Sequence, residues 1–164
     1  NKMEKEIQQY EAENKTGNHI LDTILTTKSL NCQEKNIQMT CVADGKALDF
    51  LNPMDICSIF GNALDNAITS AEKMENPEKR LIHVTVSQEK SFLRIKIENS
   101  FQGVLKMKNQ LPITTKEDRL YHGFGLKSMK EIAEKYKGSL TVSAKDGWFE
   151  LRILIPLPED EKII

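Results

Sequence analysis

Residues 61–68 read Gly61-Asn62-Ala63-Leu64-Asp65-Asn66-Ala67-Ile68 and lie in the middle of the longest helical pattern of the chain. That pattern opens at Asn52 or Pro53, a proline being well tolerated in a first turn, and runs to about Met74, where Asn76-Pro77 stops it. Ile56, Phe60, Ala63, Leu64, Ala67 and Ala71 recur on one side of this helix. Asn62, Asn66, Thr69 and Lys73 follow at i, i+4, i+7 and i+11 and form a separate ridge. Asparagine is a poor helix former, about half a kcal/mol worse than alanine, and solvated faces are normally built from Glu, Lys and Gln. The ridge is either a solvated polar stripe or a pair of stacked amides with their carbonyl oxygens projecting one way. The second arrangement suits a Mg²⁺ that keeps some of its waters and bridges phosphates.

Working outward, a helix is expected from about His19 to Lys35, with Ile20, Leu21, Ile24, Leu25 and Leu30 on its apolar side. Ile37 to Val42 alternates like a strand, and Asp44-Gly45 turns it. Beyond the long helix, Leu81 to Gln88 and Phe92 to Glu98 read as strands joined closely enough for an antiparallel hairpin. Residues 100–122 show neither helical nor strand period, which in a compact domain is rare unless the stretch is a functional lid or disordered. A helix resumes near Gly125 and ends at Lys137-Gly138, a glycine where helices stop. Ser139 to Ala144 and Trp148 to Ile155 close the chain as strands around a tight Asp146-Gly147 turn. The fold class expected is an α/β (α+β) two-layer sandwich: a mixed, largely antiparallel sheet with helices on one face.

The chain has 164 residues with Lys+Arg 23 against Asp+Glu 24, a net charge of -1. That is one ordinary domain with enough chain to bury a core, and it carries no electrostatic footprint for nucleic acid or an anionic membrane. No apolar run is long enough to span a bilayer, so no membrane contact is expected of these residues. Three cysteines, widely spaced and without a C-x-x-C pair, suit reduced thiols of a cytoplasmic compartment. Residues 1–14 carry mixed charges, with Met3, Ile7 and Tyr10 as one narrow apolar stripe like the end of a coiled coil. The opening lacks a methionine, and the chain reads as a piece of something longer.

Two further motifs carry chemistry. His122-Gly123-Phe124-Gly125-Leu126-Lys127-Ser128 joins the aperiodic stretch to a helix. Its glycines allow close backbone approach, and a helix start offers free N–H groups to phosphate oxygens; a simple hinge would read the same way. Ile97-Glu98-Asn99-Ser100-Phe101 ends a strand. Asn99 can donate and accept as the edge of an adenine requires, and Phe101 can pack on a base, though a strand-end turn would also use them.

In this order and spacing, the double asparagine, the strand-end Asx, the long lid and the G-x-G-L at a helix start resemble the Bergerat-type (GHKL) ATP-binding fold. Histidine kinases, type II topoisomerases, mismatch-repair ATPases and heat-shock chaperones share it. The resemblance covers roughly residues 16–158. Within it the chain most resembles the catalytic domain of sensor histidine kinases of the Agr-like, peptide quorum-sensing type. The stretches behind this are TGNHILDTIL (16–25), NALDNAI (62–68), KIENSF (96–101), TTK (114–116) and HGFGLKS (122–128).

The resemblance implies ATP and Mg²⁺ as ligands, with Asn66 on the metal and Asn62 one turn before it. Asn99 takes the place of the aspartate that pairs with adenine in most histidine kinases. Phe101, Lys116, His122, Gly123, Phe124, Gly125, Leu126 and Lys127 complete the implied ATP-binding set. The usual D-x-G-x-G continuation reads Asn99-Ser100-Phe101-Gln102-Gly103 here, a departure that recurs in the Agr-like branch. Position 69 is threonine where many kinases carry a base, leaving Lys73, Lys116 or Lys127 for the phosphate charge. Chaperones and topoisomerases place a water-activating glutamate where this chain has Asn62, which cannot act as a general base at neutral pH. The implied chemistry is therefore transfer of the ATP γ-phosphoryl to a histidine outside the domain.

His19, His83 and His122 do not match an acceptor, His19 lacking the acidic neighbour that usually follows one. Residues 1–15 are expected to end an upstream dimerization helix, and 16–164 to be the catalytic domain, with its lid at about 100–122. The parent would be a membrane-anchored homodimer with a cognate response regulator as partner. The alternatives are an anti-sigma-type serine kinase and a non-catalytic nucleotide-binding interaction module.

Overall fold

The computed structural model describes residues 2, 15–102, 107–108, 111–112 and 124–159. The stripe of Met3, Ile7 and Tyr10 lies outside the described residues, as do Lys116, His122 and Gly123 and most of the expected lid.

Helix α1 (His19–Glu34) starts where the Asn18 side chain accepts the Leu21 N–H at 3.0 Å, a side-chain cap for an otherwise unmet donor. Strand β1 (Gln38–Ala43) follows, then the long helix α2 (Pro53–Glu72), capped by Asn52 accepting from Met54 N–H at 2.8 Å. Strands β2 (Leu81–Glu89) and β3 (Phe92–Ser100) form the expected hairpin. Two short strands, β4 (Met107–Lys108) and β5 (Leu111–Pro112), pair with each other. Helix α3 (Phe124–Lys135) leads into β6 (Ser139–Lys145) and β7 (Trp148–Pro156).

The five-stranded sheet has the order β1-β2-β3-β7-β6. Only β1 and β2 are parallel, and α2 supplies the crossover that a parallel pair requires. One sheet face presents Ile82, Val84, Val86, Leu93, Ile95, Ile97, Leu151, Ile153 and Ile155 to the core. Against it lie Leu21 and Leu25 of α1, Ile56, Ile59, Phe60, Leu64 and Ile68 of α2, and Met129 and Ala133 of α3. The alternate residues form a polar face with Lys96–Glu98 and Arg152–Glu150 ion pairs. The two-layer sandwich expected from the sequence is what forms.

Helices α1 and α2 run parallel, marked by Lys28–Asp65 at 2.5 Å and Lys35–Glu72 at 2.9 Å with the same residue offset. Such surface pairs contribute little stability, about 0–1 kcal/mol each; the buried side chains between the helices do more. Thr26 and Cys32 are buried on α1, while Leu30 is only half-buried. The three cysteines are free thiols, and burial pushes Cys32 and Cys41 up to about 11, where they are inert.

Three details differ from the sequence reading, the first being the β4–β5 pairing inside 100–122, where no strand period was read. Strand β3 continues through Asn99 and Ser100, which pair with Phe149 and Trp148 of β7, so the strand-end amide stands inside the ladder. Cross-strand hydrogen bonding carries the strand past the point where its alternation fades. At the end of α3 the left-handed residue is Lys137, with φ of 64°, and not Gly138. The Gly138 N–H closes the helix on Ala133 O at 2.7 Å. Glycine is needed there because an added Cβ would stand 2.2 Å from the Leu154 carbonyl oxygen and 2.9 Å from Ile155. Gly138→Ala should therefore destabilise the domain by about 2–3 kcal/mol in urea unfolding, the range for overpacking a close contact. Lys137→Gly should be neutral or stabilising, since it relieves a left-handed side chain.

Candidate functional site

The asparagine ridge of α2 meets the start of α3. Asn62 Nδ2 donates to the Ser58 carbonyl at 2.8 Å and to Ser58 Oγ at 3.3 Å, which ties the amide to the preceding turn. A Cβ on Gly125 would lie 3.3 Å from Asn62 Oδ1 and 3.5 Å from its Cβ. Gly125 thus lets α3 begin close beside α2 at this level, where a side chain would press on the Asn62 amide. At its other end, α3 is followed by Tyr136, whose hydroxyl accepts the Asn52 N–H at 2.9 Å. The two contacts make α3 antiparallel to the first half of α2, with its amino end directed toward Asn66. Asn66 is half-buried and stands one turn beyond Asn62, about 6 Å along the axis. The first N–H groups of a helix lack intrahelical acceptors and carry the positive end of its dipole. The space between the start of α3 and Asn66 is therefore suited to an anion.

Other expected residues are distributed unequally around it. Gly125 and Leu126 are buried, and Leu126, Met129 and Ala133 turn one face of α3 into the core. What Leu126 offers a ligand is its backbone. Lys127 is exposed on the first turn of α3, and Lys73 is exposed at the C-cap of α2. Phe124 opens α3, its side chain lying outside the described residues along with Lys116, His122 and Gly123.

Asn99 occupies the core-facing row of β3 after Leu93, Ile95 and Ile97 and is 1% exposed. Its Nδ2 donates to the Ser100 carbonyl at 2.8 Å. Ser100 Oγ accepts the Leu81 N–H at 3.0 Å, and the Phe101 N–H donates to Gly147 O at 2.8 Å. The Asp146-Gly147 turn, with φ of 53° and 83°, aims that carbonyl, so the last hairpin anchors the exit of β3. Phe101 packs on Phe149 with ring centroids 6.0 Å apart, and Phe149 is the cross-strand neighbour of Asn99. An amide beside two aromatic rings can meet a flat heteroaromatic group with donors and acceptors on its edge. Phe149 was legible in the sequence only as part of the closing strand, Trp148 to Ile155.

A second polar cluster was not legible at all. Asp55, on the first turn of α2, is 8% exposed and accepts from Tyr136 OH at 2.5 Å and Lys135 Nζ at 2.6 Å. Phe50 meets the Tyr136 ring edge-on at 6.2 Å. Burial pushes the Asp55 carboxyl up, but the hydrogen bonds from Lys135 and Tyr136 and the lysine charge outweigh it and hold it below its ordinary 3.8. Burial, then the hydrogen bond to Asp55, raises Tyr136.

The donors on the ridge are amide oxygens. Among the described residues no group of three or more His, Cys, Asp or Glu could hold a metal ion. This donor set fits a Mg²⁺ that arrives with phosphate oxygens and its own waters and takes one or two protein ligands.

A model of the GHKL domain family matches residues 51–156, and the chain belongs to that family. A nucleotide-free form of the catalytic domain of histidine kinase ThkA superposes with a TM-score of 0.63 at 19% identity, covering 84% of this chain and 91% of its own. The Acinetobacter baumannii histidine kinase AdeS gives 0.59 at 16% identity, covering 85% of this chain and 64% of its own. These likenesses are of fold. In sequence the chain is 23% identical over 137 residues to a probable C4-dicarboxylate sensor kinase of Halalkalibacterium halodurans. The match takes in 80% of this chain and 26% of that protein, so the chain spans about a quarter of its relative's length. By family the chain is a GHKL domain, and its fold is the one that histidine kinase catalytic domains adopt.

The Asp55 cluster gives the domain a pH dependence. A carboxylate held below its ordinary value contributes stability that is present above that value and lost as the pH falls through the folded one. The stability difference between the parent and Asp55→Asn should therefore be largest near neutral pH and shrink below pH 3.8 in urea titrations. An undiminished difference at acid pH would assign the effect to packing.

Proposed function

We propose that the domain holds Mg-ATP between α2, α3 and the end of β3, and presents its γ-phosphoryl to a histidine on another segment of a sensor histidine kinase. The observation that carries this is the antiparallel seating of α3 on α2, which directs a helix amino end at the asparagine ridge. Asn99 would read the adenine edge, with Phe101 and Phe149 packing beside the base. Asn66 would give an amide oxygen to the metal, and the N–H groups of the first turn of α3 would take phosphate oxygens. Lys127 and Lys116, with His122, Gly123 and Phe124, complete the contacts implied by the family resemblance. The Mg²⁺ supplies charge neutralisation across the phosphates. Asn62, its amide tied to Ser58, offers no base for water, so hydrolysis is slow and transfer awaits an outside nucleophile.

Neither described histidine belongs to this site. His19 is exposed at the start of α1, and His83 stacks on Trp148 at 4.9 Å on the sheet face opposite the helices. The acceptor is accordingly assigned to an upstream helical hairpin, with residues 1–15 as its end, 16–164 as the catalytic domain and about 100–122 as its lid. The parent would be a membrane-anchored homodimer acting on a response regulator. NALDNAI, KIENSF and the Asn99-Ser100-Phe101-Gln102-Gly103 departure favour the Agr-like branch.

Isothermal titration tests the reading. The parent should bind ATP more tightly with Mg²⁺ than without, and Asn66→Ala should lose at least about tenfold, mostly in the metal-dependent part. Supplying the upstream helices should then yield acid-labile phosphohistidine. Tight binding without transfer would support a non-catalytic nucleotide module instead. Brisk hydrolysis by the isolated domain would overturn the kinase reading.

A further inference from the structure

The far end of α3, away from the proposed nucleotide site, carries a polar lock. Tyr136 Oη accepts from the Asn52 N–H and donates a hydrogen bond to Asp55 Oδ2, while Lys135 Nζ reaches the same oxygen and lies 5.2 Å from the tyrosine ring centroid. Asn52 caps α2 and Asp55 sits in its first turn, so all four groups join the start of one helix to the end of the other. Along the rest of α3, Leu126, Met129 and Ala133 enter the apolar core that α2 also lines, and apolar attraction is not directional. Hydrogen bonds are directional, and these fix where α3 stands along α2. The amino end of α3 lies about 18 Å away, twelve residues along a rigid helix, and there Gly125 stands beside Asn62.

We infer that Tyr136, with Asp55 and Lys135, is a positioning group for the nucleotide: it sets the axial position of α3 and thereby the gap between the helix's amino end and Asn66. The inference rests on the proposed placement of phosphates in that gap. It assigns the lock to the phosphate end of the ligand and not to the base, because Asn99 and Phe149 belong to the sheet and do not move with α3.

The test titrates the full chain and its Tyr136→Phe variant with Mg-ATP and, separately, with adenosine, at a temperature where melting curves show both folded. Tyr136→Phe keeps the ring and deletes the hydroxyl. The dissociation constant for Mg-ATP should rise roughly five- to tenfold, the loss expected from one or two directional hydrogen bonds, while that for adenosine stays unchanged. Lys135→Gln, which leaves the tyrosine in place, should give a smaller loss of the same kind and decides the matter if Tyr136→Phe does not fold. Equal Mg-ATP affinity in parent and variants would overturn the inference. Parallel losses for Mg-ATP and adenosine would also overturn it, reducing the lock to general stability. A parent that binds neither ligand would instead remove the proposed function itself.

Discussion

Helix α2 gives its inner face to the sheet and its neighbours, and the other helices take their places from that burial. Ile56, Ile59, Phe60, Leu64 and Ile68 are at most 2% exposed. Each large side chain contributes about 1.5–3 kcal/mol when buried, against about half a kcal/mol lost at each asparagine in the helix. Burial therefore sets the rotation of α2, and that rotation leaves Asn62 and Asn66 at the edge of the core. There they are neither solvated nor enclosed. Helix α1 then packs alongside in parallel and α3 in the opposite sense, so one helix start is brought to the ridge.

The elements themselves were legible because each carries a strong local signal. The apolar period of α2, the alternation of β1, the short link between β2 and β3, and the Asp146-Gly147 turn depend on neighbours in sequence. The asparagine ridge was legible for the same reason, since i and i+4 share a face. Boundaries were less so: Asn99 and Ser100 look like the exit from a strand until β7 pairs with them. Gly138 looked like a helix terminator, yet the left-handed position is Lys137, and the glycine answers to the Leu154 carbonyl across the sheet.

The lock of Asp55 with Lys135 and Tyr136 illustrates what a single sequence hides. Asp55 reads as an acid complementing the positive end of its helix, and Lys135 as a base in the last turn of its own, each locally sufficient. Nothing near either residue announces a partner some eighty positions away. The polar contacts that orient α3 come from long-range packing, whereas the groups they orient are written in short motifs.

Strands β3 and β7 are neighbours at the middle of the sheet although the segment leading to α3, then α3 and β6, lies between them in the chain. Their pairing closes a long loop, and the entropy of closing a loop grows only logarithmically, about 0.6 kcal/mol for each doubling of its length. The two ends of the intervening segment are held independently, Phe101 by the Gly147 carbonyl and α3 by Asp55. Closing that loop therefore costs the domain little stability. The burden falls on folding speed, because pairing strands this far apart in the chain is a high-contact-order step.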